Sequence, residues 1–198
     1  DKGEKVTVTF RGKSASATTD DAGNWLVSLP SGEAGGPFDL TIKGNNTIAY
    51  KNILVGEVWI CSGQSNMEWS INASDKSDKE TAASAPHNPM LRMFTVKKNP
   101  QMLPQYEAAG TWTDAMPKTV GGFSAVAYFF GRNLNENLKV PVGLIHTSWG
   151  GTRIQTWMSQ SALTPFEKPG AKPGPNTASN LYNGMIHPIL NVQAKGAI

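Results

Sequence analysis

Two apolar runs constrain the fold of this chain more than any other feature. The first, "ILVGEVWIC", covers residues 53–61, and the second, "VPVGLIHTS", covers residues 140–148. Neither run alternates apolar and polar residues, which is typical of parallel strands that are covered on both faces. Both runs end in glycine-containing segments, "GQSN" at 63–66 and "WGG" at 149–151. We interpret them as buried strands that end at the same edge of one parallel sheet.

The stretch between these runs contains a predicted helix. In "FSAVAYFFGRNLNENL", residues 123–138, the apolar side chains recur at helical spacing. Ser124 is suited to cap the start of this helix, and Pro141 to stop it. The apolar face would consist of Phe123, Val126, Ala127, Phe130, Leu134 and Leu138. A strand, a helix and a second strand in this order predict a βαβ unit.

Residues 1–52 follow a different pattern. Short stretches at 6–10, 24–30 and 38–44 are separated by Gly, Asp and Pro turns, and the first and last of them alternate apolar and polar residues. This spacing predicts a small antiparallel β-sandwich segment over residues 1–52, followed by an α/β domain over residues 53–198. Residues 166–179 are rich in proline and glycine and predict a surface loop.

The composition excludes several classes of function. The chain is 39% hydrophobic and 17% charged, with a net charge of +3. Its Lys and Arg residues are scattered, so we expect no nucleic-acid partner. No apolar run reaches the roughly 18 residues that span a bilayer, so we expect no membrane partner. Cys61 is the single cysteine, and no His or carboxylate cluster has ligand spacing, so we expect no metal site and no cofactor.

The end of the first run places Ser65 where open parallel sheets bind ligands. A serine at the start of a helix has two interpretations. It caps the helix, as most such serines do, or it acts as a nucleophile beside free backbone N–H groups that could stabilise an oxyanion. Gly63 would allow the tight turn that exposes it. After the second run, Arg153 is either a surface side chain or a partner for a carboxylate.

Four segments together resemble a known family. "GEVWICSGQSNMEW", "FSAVAYFFGRNL", "VPVGLIHTSWGGTRIQTW" and "LYNGMIHPI" occur in this order. They are similar to segments of sialate O-acetylesterases, which are SGNH (GDSL-like) hydrolases, and the resemblance covers residues 50 to 198. It implies a flavodoxin-like three-layer α/β/α domain, preceded by the sandwich segment.

The resemblance also implies serine ester hydrolysis. Ser65 would be the nucleophile, and the backbone N–H groups of Ser65 and Gly151 would form the oxyanion hole, with no room for a Cβ at Gly151. Gln64 and Asn66 would shape the turn and face the substrate, and Asn183 would line the pocket. An acetylated sugar is the expected substrate.

The sequence departs from the family pattern in its later part. Family members carry a W-Y-Q-G-E-S-N string and a D-x-x-H string that supplies the catalytic acid and base, and neither occurs here. We therefore expect an incomplete domain whose catalytic His and Asp lie in a remaining C-terminal segment. The alternative is that His87, His146 or His187 acts as the base.

The choice of substrate stays open from the sequence. Sialic acid is the expected sugar, with Arg153 meeting its carboxylate. An acetylxylan-type esterase is one alternative, and a non-catalytic carbohydrate-binding module that uses exposed aromatics such as Trp25 is another. A glycosidase with paired carboxylates is possible in principle, but the sequence around Glu57 and Glu68 supports neither residue as its catalytic acid. We expect secretion or a periplasmic location, with a signal peptide that is not in this chain.

Overall fold

A computed structural model describes residues 1–166 and 172–198 of the chain. These residues divide into two compact units, Asp1–Gly56 and Glu57–Ile198. The first five residues of the proline- and glycine-rich stretch after Phe166, 167–171, lie outside the described part. Within the described part, no helix is long and apolar enough to cross a membrane.

The first unit contains one antiparallel sheet of four strands in the order β2-β1-β3-β4. Its strands are β1 (Lys5–Phe10), β2 (Lys13–Thr18), β3 (Gly35–Lys43) and β4 (Thr47–Val55). Alternate residues of β1 are buried, as their spacing predicts: Val6, Val8 and Phe10. The ring of Phe10 meets Phe38 edge-on, with 5.8 Å between the ring centroids. The described residues of this unit form a single sheet, not the two packed sheets of a sandwich.

The predicted strand at 24–30 is wrong. This segment forms no ladder, and its Leu26 side chain is 80% exposed. Apolar content alone suggested the strand, but without a neighbouring strand its backbone groups have no sheet partner. The strand β2, which the sequence analysis did not predict, pairs with β1 instead.

The second unit contains a mostly parallel sheet of five strands in the order β7-β6-β8-β5-β9. The pairs β5–β8, β6–β8 and β5–β9 are parallel, and β6–β7 is antiparallel. Its strands are β5 (Glu57–Gly63), β6 (Asn88–Thr95), β7 (Trp112–Ala115), β8 (Val142–Ser148) and β9 (Gly196–Ala197). The helices are α1 (Ser65–Glu68), α2 (Lys76–Ala83), α3 (Pro117–Val120), α4 (Ala125–Leu138) and α5 (Gln160–Leu163). Further helical turns cover Ile71–Ala73, Ile154–Trp157, Tyr182–Ile186 and His187–Ile189.

Both faces of this sheet are covered. On β8, Leu144 belongs to a cluster with α4 residues such as Ala127, whereas the next residue, Ile145, belongs to a second cluster with Leu181 and Met185. Successive residues of a strand point to opposite faces, so a strand buried on both sides needs continuous apolar residues. This arrangement confirms the predicted three-layer α/β/α fold.

The apolar run at 53–61 was predicted as one strand, and this is wrong. The run is divided at Gly56, so that its first part ends β4 in the antiparallel sheet and its second part begins β5 in the parallel sheet. Apolar composition does not distinguish the half-exposed end of one strand from the start of another. The two runs do end at the same edge of one parallel sheet, since β8 lies beside β5 with Gly63 opposite Ser148, but β6 and β7, which lie between them in the chain, were not predicted.

Helix α4 confirms the predicted element but not its whole apolar face. The Ser124 hydroxyl accepts a hydrogen bond from the Ala127 N–H at 3.2 Å, which caps the helix as expected. However, Val126 is 48% exposed, and Leu138 is also exposed. The buried residues of the helix are Ala125, Ala127, Tyr128 and Gly131. At Gly131, an added Cβ would lie 2.6 Å from the Leu144 side chain, so the missing side chain permits close packing.

Candidate active site

The site lies at the carboxyl ends of β5, β6 and β8, where they meet at one edge of the sheet. The chain leaves β5 at Gly63, whose φ of +146° is unfavourable for other residues. It then enters α1, a single turn that begins at Ser65. Ser65 is exposed, while Met67 on the same turn is buried against the domain core. The local sequence therefore anchors the turn through Met67 and leaves the serine hydroxyl in solvent.

Ser65 does not cap the helix. The N-cap residue is Gln64, and no side chain makes a capping hydrogen bond there. The Ser65 hydroxyl instead lies 3.3 Å from Gln64 Oε1, to which it can donate a hydrogen bond. The capping interpretation of this serine is therefore excluded by the geometry, which leaves its hydroxyl available for chemistry.

The end of β8 lies directly beside this turn. The Trp149 N–H donates to the Gly63 carbonyl at 3.2 Å, which extends the pairing of the two strands beyond the sheet. A Cβ added at Gly150 would lie 3.3 Å from Ser65 Oγ and 2.9 Å from Glu68 Oε2. The backbone at Gly150 therefore approaches the serine closely, and a side chain there would require Ser65 and Glu68 to shift.

The expected lack of room at Gly151 is wrong. A Cβ added there would meet no atom within 4 Å. What constrains Gly151 is its left-handed backbone, with a φ of +74°. Steric closeness to Ser65 thus belongs to Gly150, and the role of the Gly151 N–H in an oxyanion hole stays a prediction.

Glu68, which the sequence analysis considered only as a glycosidase carboxylate, has a different role in this site. One turn after Ser65, its Oε2 accepts a hydrogen bond from the Gly150 N–H at 2.5 Å. Its Oε1 forms an ion pair with Lys98, which follows the carboxyl end of β6. The Lys98 ammonium also lies 4.8 Å from the ring centroid of Trp149. This carboxylate therefore links the segments that follow three neighbouring strands.

The electrostatics of Glu68 fit this linking role. Partial burial raises the pKa of its carboxyl, but hydrogen bonds from Lys98 and the Gly150 N–H outweigh burial, and the net pKa is below its ordinary value. The carboxylate is therefore ionised at neutral pH and acts as an acceptor rather than as an acid. Its position within "SNME" gave one signal, since it falls on the helix turn of the serine, but its partners lie far away in sequence.

None of the three histidines, all within the described part, hydrogen-bonds to Ser65. His87 pairs with Asp114 at 2.9 Å, and His187 Nδ1 lies 2.7 Å from the Gln105 carbonyl. His146 is buried in β8, with its Nε2 2.6 Å from Ser148 Oγ. Burial lowers the pKa of His146, although Glu68 acts in the opposite direction.

The predicted substrate residues occupy different environments. Gln64 and Asn66 are exposed on either side of Ser65. Arg153 is exposed too, and its Nε donates to the Asn176 carbonyl at 2.8 Å. Asn183 is buried, and its Nδ2 donates to the carbonyls of Gln101 and Met102, so its amide group holds a loop. The assignment of all four to substrate binding stays a prediction.

Two clefts border Ser65. The first, which we call the Gln64 cleft, has a volume of about 400 Å³ and is lined by Ser62, Gly63, Gln64, Ser65, Asn66, Met67 and Val126. The second, the Trp69 cleft, has a volume of about 330 Å³ and is lined by Ser65, Glu68, Trp69, Ser70, Ala73 and Gly150. The serine hydroxyl can therefore be reached by a small ligand from two sides.

Cys61 does not supply a second nucleophile at this edge. Cys61 is fully buried, and burial raises the pKa of its thiol to about 12, so a thiolate is not available at neutral pH. Within residues 1–166 and 172–198, no group of three or more His, Cys, Asp or Glu side chains is placed to hold a metal ion.

Ser65 is thus exposed on a tight turn after a parallel strand, and Gly150, which follows the neighbouring strand β8, lies against its hydroxyl. The family model described as "carbohydrate esterase, sialic acid-specific acetylesterase" matches residues 55–197, and the chain belongs to this family.

Individual relatives agree with this membership. The chain is 32% identical over 221 residues to sialate O-acetylesterase of Homo sapiens, and 33% identical over 222 residues to that of Pongo abelii. Each match covers 99% of this chain and 42% of the relative. A crystal structure of a carbohydrate acetylesterase from Xanthomonas citri superimposes with a TM-score of 0.88 at 35% identity, covering 100% of this chain and 44% of the other. The chain thus spans less than half the length of these relatives.

Proposed function

We propose that the protein to which this chain belongs is a serine esterase that removes O-acetyl groups from sugars. The observation that carries this proposal is the exposed Ser65 hydroxyl with the backbone of Gly150 closed against it. Ester hydrolysis needs an accessible nucleophile beside backbone donors that can stabilise an oxyanion, and this edge of the sheet brings such groups together. The names of the matched relatives support an acetyl ester of a sugar as the substrate class.

The reaction would proceed through an acetyl-enzyme. Ser65 Oγ attacks the acetyl carbonyl and loses its proton to a base, and the carbonyl oxygen becomes an oxyanion held by the N–H groups of Ser65 and Gly151. The tetrahedral species then collapses, the bond to the sugar oxygen breaks, and that oxygen takes a proton as the sugar leaves. Water attacks the acetyl-enzyme in the same way and releases acetate.

The base would come from a further segment of the same enzyme. A serine needs a base within hydrogen-bond reach, and each of the three histidines of this chain has another partner. The relatives are more than twice as long as the matched region, which leaves room for the expected His and Asp. We place the whole enzyme in the secreted or periplasmic class, with an acetylated sugar as its partner.

Sialic acid is the proposed sugar, with acetylxylan as the alternative. A sialic acid carries a carboxylate, and Arg153, exposed on the segment after β8, is a cation that could recognise it. The matched family is described as a sialic acid-specific acetylesterase, and this description supports sialic acid as the sugar.

The proposal is tested on the full-length enzyme with O-acetylated sialic acid and acetylated xylose, by measuring the release of acetate. We expect hydrolysis of the sialic acid ester, and a serine-directed phosphonate should label Ser65, as located by mass spectrometry. Labelling of a different residue would reject the nucleophile. Faster hydrolysis of the xylose ester would favour the acetylxylan alternative, and no release from either sugar would reject the proposal.

A further inference from the structure

The Trp69 cleft contains an exposed aromatic side chain. Trp69 follows α1 and is 56% exposed, although tryptophan is highly buried on average. Its ring lines the same cleft as Ser65 and Gly150. A concave site that combines an aromatic side chain with a few polar groups beside a nucleophile is a place where a ligand can bind.

The indole of Trp69 is held in place although it is exposed. Its Nε1 donates a hydrogen bond to the Ala73 carbonyl at 2.9 Å. Its backbone is fixed at both polar groups, because its N–H donates to the Ser65 carbonyl at 3.0 Å and its carbonyl accepts from the Ala125 N–H at 2.9 Å. A ring that is restrained before the ligand arrives loses little conformational entropy on binding.

The remaining lining of this cleft leaves space in front of the ring. Ser70 and Ala73 are small, and Glu68 and Gly150 form the part next to the serine. By contrast, the lining of the Gln64 cleft includes no aromatic side chain. The two clefts therefore differ in the kind of ligand surface that they can bind.

We propose that Trp69 forms the subsite for the sugar ring of the substrate, so that the pyranose lies on the indole while its acetyl ester reaches Ser65. A pyranose has one face formed largely by C–H groups, whose partial positive charge is attracted to the negative face of an aromatic ring. The hydroxyl groups at the rim of the sugar stay in solvent. This inference rests on the proposed function, because it assigns a place to the sugar of that reaction.

The test compares two esters on the full-length enzyme and on its Trp69→Ala and Trp69→Phe variants. O-acetylated sialic acid needs the sugar subsite, whereas ethyl acetate has neither a sugar nor an aromatic ring and reports on the nucleophile. We expect Trp69→Ala to lower kcat/KM for the sugar ester about 10-fold, the effect of losing one aromatic contact, and to change ethyl acetate less than 2-fold. Trp69→Phe should lie between Trp69→Ala and the wild type.

A matched control is available at the other end of the sheet. Trp112 is 45% exposed and lies against Gly143, near the amino end of β8 and away from the site. Trp112→Ala should leave the ratio of kcat/KM for the two esters unchanged. Thermal unfolding of every variant shows whether its fold is retained.

A direct binding measurement completes the test. The indole N–H resonance of Trp69, identified by its absence in Trp69→Phe, should shift when free sialic acid is added. Equal losses on both esters in Trp69→Ala, or an unmoved resonance at saturating sialic acid, would overturn the subsite while leaving the esterase intact. A wild-type enzyme that cleaves only ethyl acetate would reject the proposed function and the subsite together.

Discussion

The loops after β5 and β8 both leave a parallel strand near a glycine, but they are specified differently. After β5, the tight turn at Gly63, the exposed Ser65 and the buried Met67 follow one another within five residues. After β8, the backbone of Gly150 is held by Glu68, which lies 82 residues earlier in the chain. The shape of the first loop therefore follows from its local sequence, whereas the position of the second loop depends on its contact with Glu68 of the first.

This difference explains the wrong expectation at Gly151. A pair of glycines indicates that the backbone approaches something, but it does not say which glycine makes the approach. Gly150 closes on Ser65, while Gly151 takes the left-handed conformation that turns the chain away. Substitutions in the two loops test this difference.

The largest expected effect is that of Ser65→Ala in the full-length enzyme. Without the hydroxyl no acetyl-enzyme can form, and we expect turnover to fall at least about 1,000-fold with p-nitrophenyl acetate. The exposed Ser84 provides a matched control, and Ser84→Ala should retain wild-type turnover. Substantial activity in Ser65→Ala would show that the local loop does not supply the nucleophile.

The next largest effect should separate the two glycines of the second loop. In Gly150→Ala the new methyl group would crowd Ser65 Oγ and the carboxylate of Glu68. We expect kcat to fall about 100-fold, because a shifted turn would displace both the Ser65 hydroxyl and the Ser65 N–H that serves as an oxyanion donor. Gly151→Ala faces open space but a left-handed backbone, which costs about 1–2 kcal/mol, and we expect a loss of about 10-fold.

Steady-state kinetics and thermal unfolding of both glycine variants provide the measurement. Gly151→Ala should lose more stability than Gly150→Ala, although it should lose less turnover. If Gly151→Ala lowered kcat more than Gly150→Ala, the assignment of steric closeness to Gly150 would be wrong.

The same contrast shows how far the sequence could predict this molecule. Helix α4 and its Ser124 cap are determined by neighbouring residues, and so they were predictable. The exposure of Val126 was not, because the face that packs on the sheet is set by Gly131 against Leu144. A helical pattern gives the period of a helix, but its rotation depends on the partner surface.

The residues of the candidate site also differ in whether local sequence predicts them. Ser65 could be singled out because a strand, a glycine turn and a helix start are all encoded within a few residues. Glu68 could not, since its role depends on Gly150 and Lys98, which the fold brings in from two other strands. Sequence patterns of one segment carry no information about such partners.

A smaller effect is expected from breaking the link between the loops at Glu68. Glu68→Ala removes the acceptor for the Gly150 N–H, and we expect kcat for p-nitrophenyl acetate to fall about 10-fold with little change in KM. Glu68→Gln keeps an oxygen acceptor and should lose only a few-fold, because hydrogen bonds to a neutral group are weaker. Lys98→Met, which leaves the hydrogen bond to Gly150 intact, serves as the comparison. Unchanged kcat in Glu68→Ala would show that the second loop holds its position independently.

The pH dependence of stability gives a second readout of Glu68. Its folded-state pKa is lowered, so its contribution is present above its unfolded pKa of about 4.3 and is lost as the pH falls through the folded value. The difference in melting temperature between the wild type and Glu68→Gln should therefore be present at neutral pH and shrink near pH 3. A constant difference would mean that ionisation of Glu68 does not contribute.

The smallest expected effect belongs to Arg153, at the far end of the second loop. Its backbone N–H and its Nε both donate to Asn176, so the side chain is held by the fold as well as exposed to solvent. Contacts between exposed charges are weak, and we expect Arg153→Ala to lower kcat/KM for O-acetylated sialic acid only about 3- to 5-fold. Acetylated xylose, which has no carboxylate, should lose less than 2-fold, and Arg153→Lys should restore part of the difference. Equal losses on the two sugars would mean that Arg153 acts by holding Asn176 in place and that the carboxylate is recognised elsewhere.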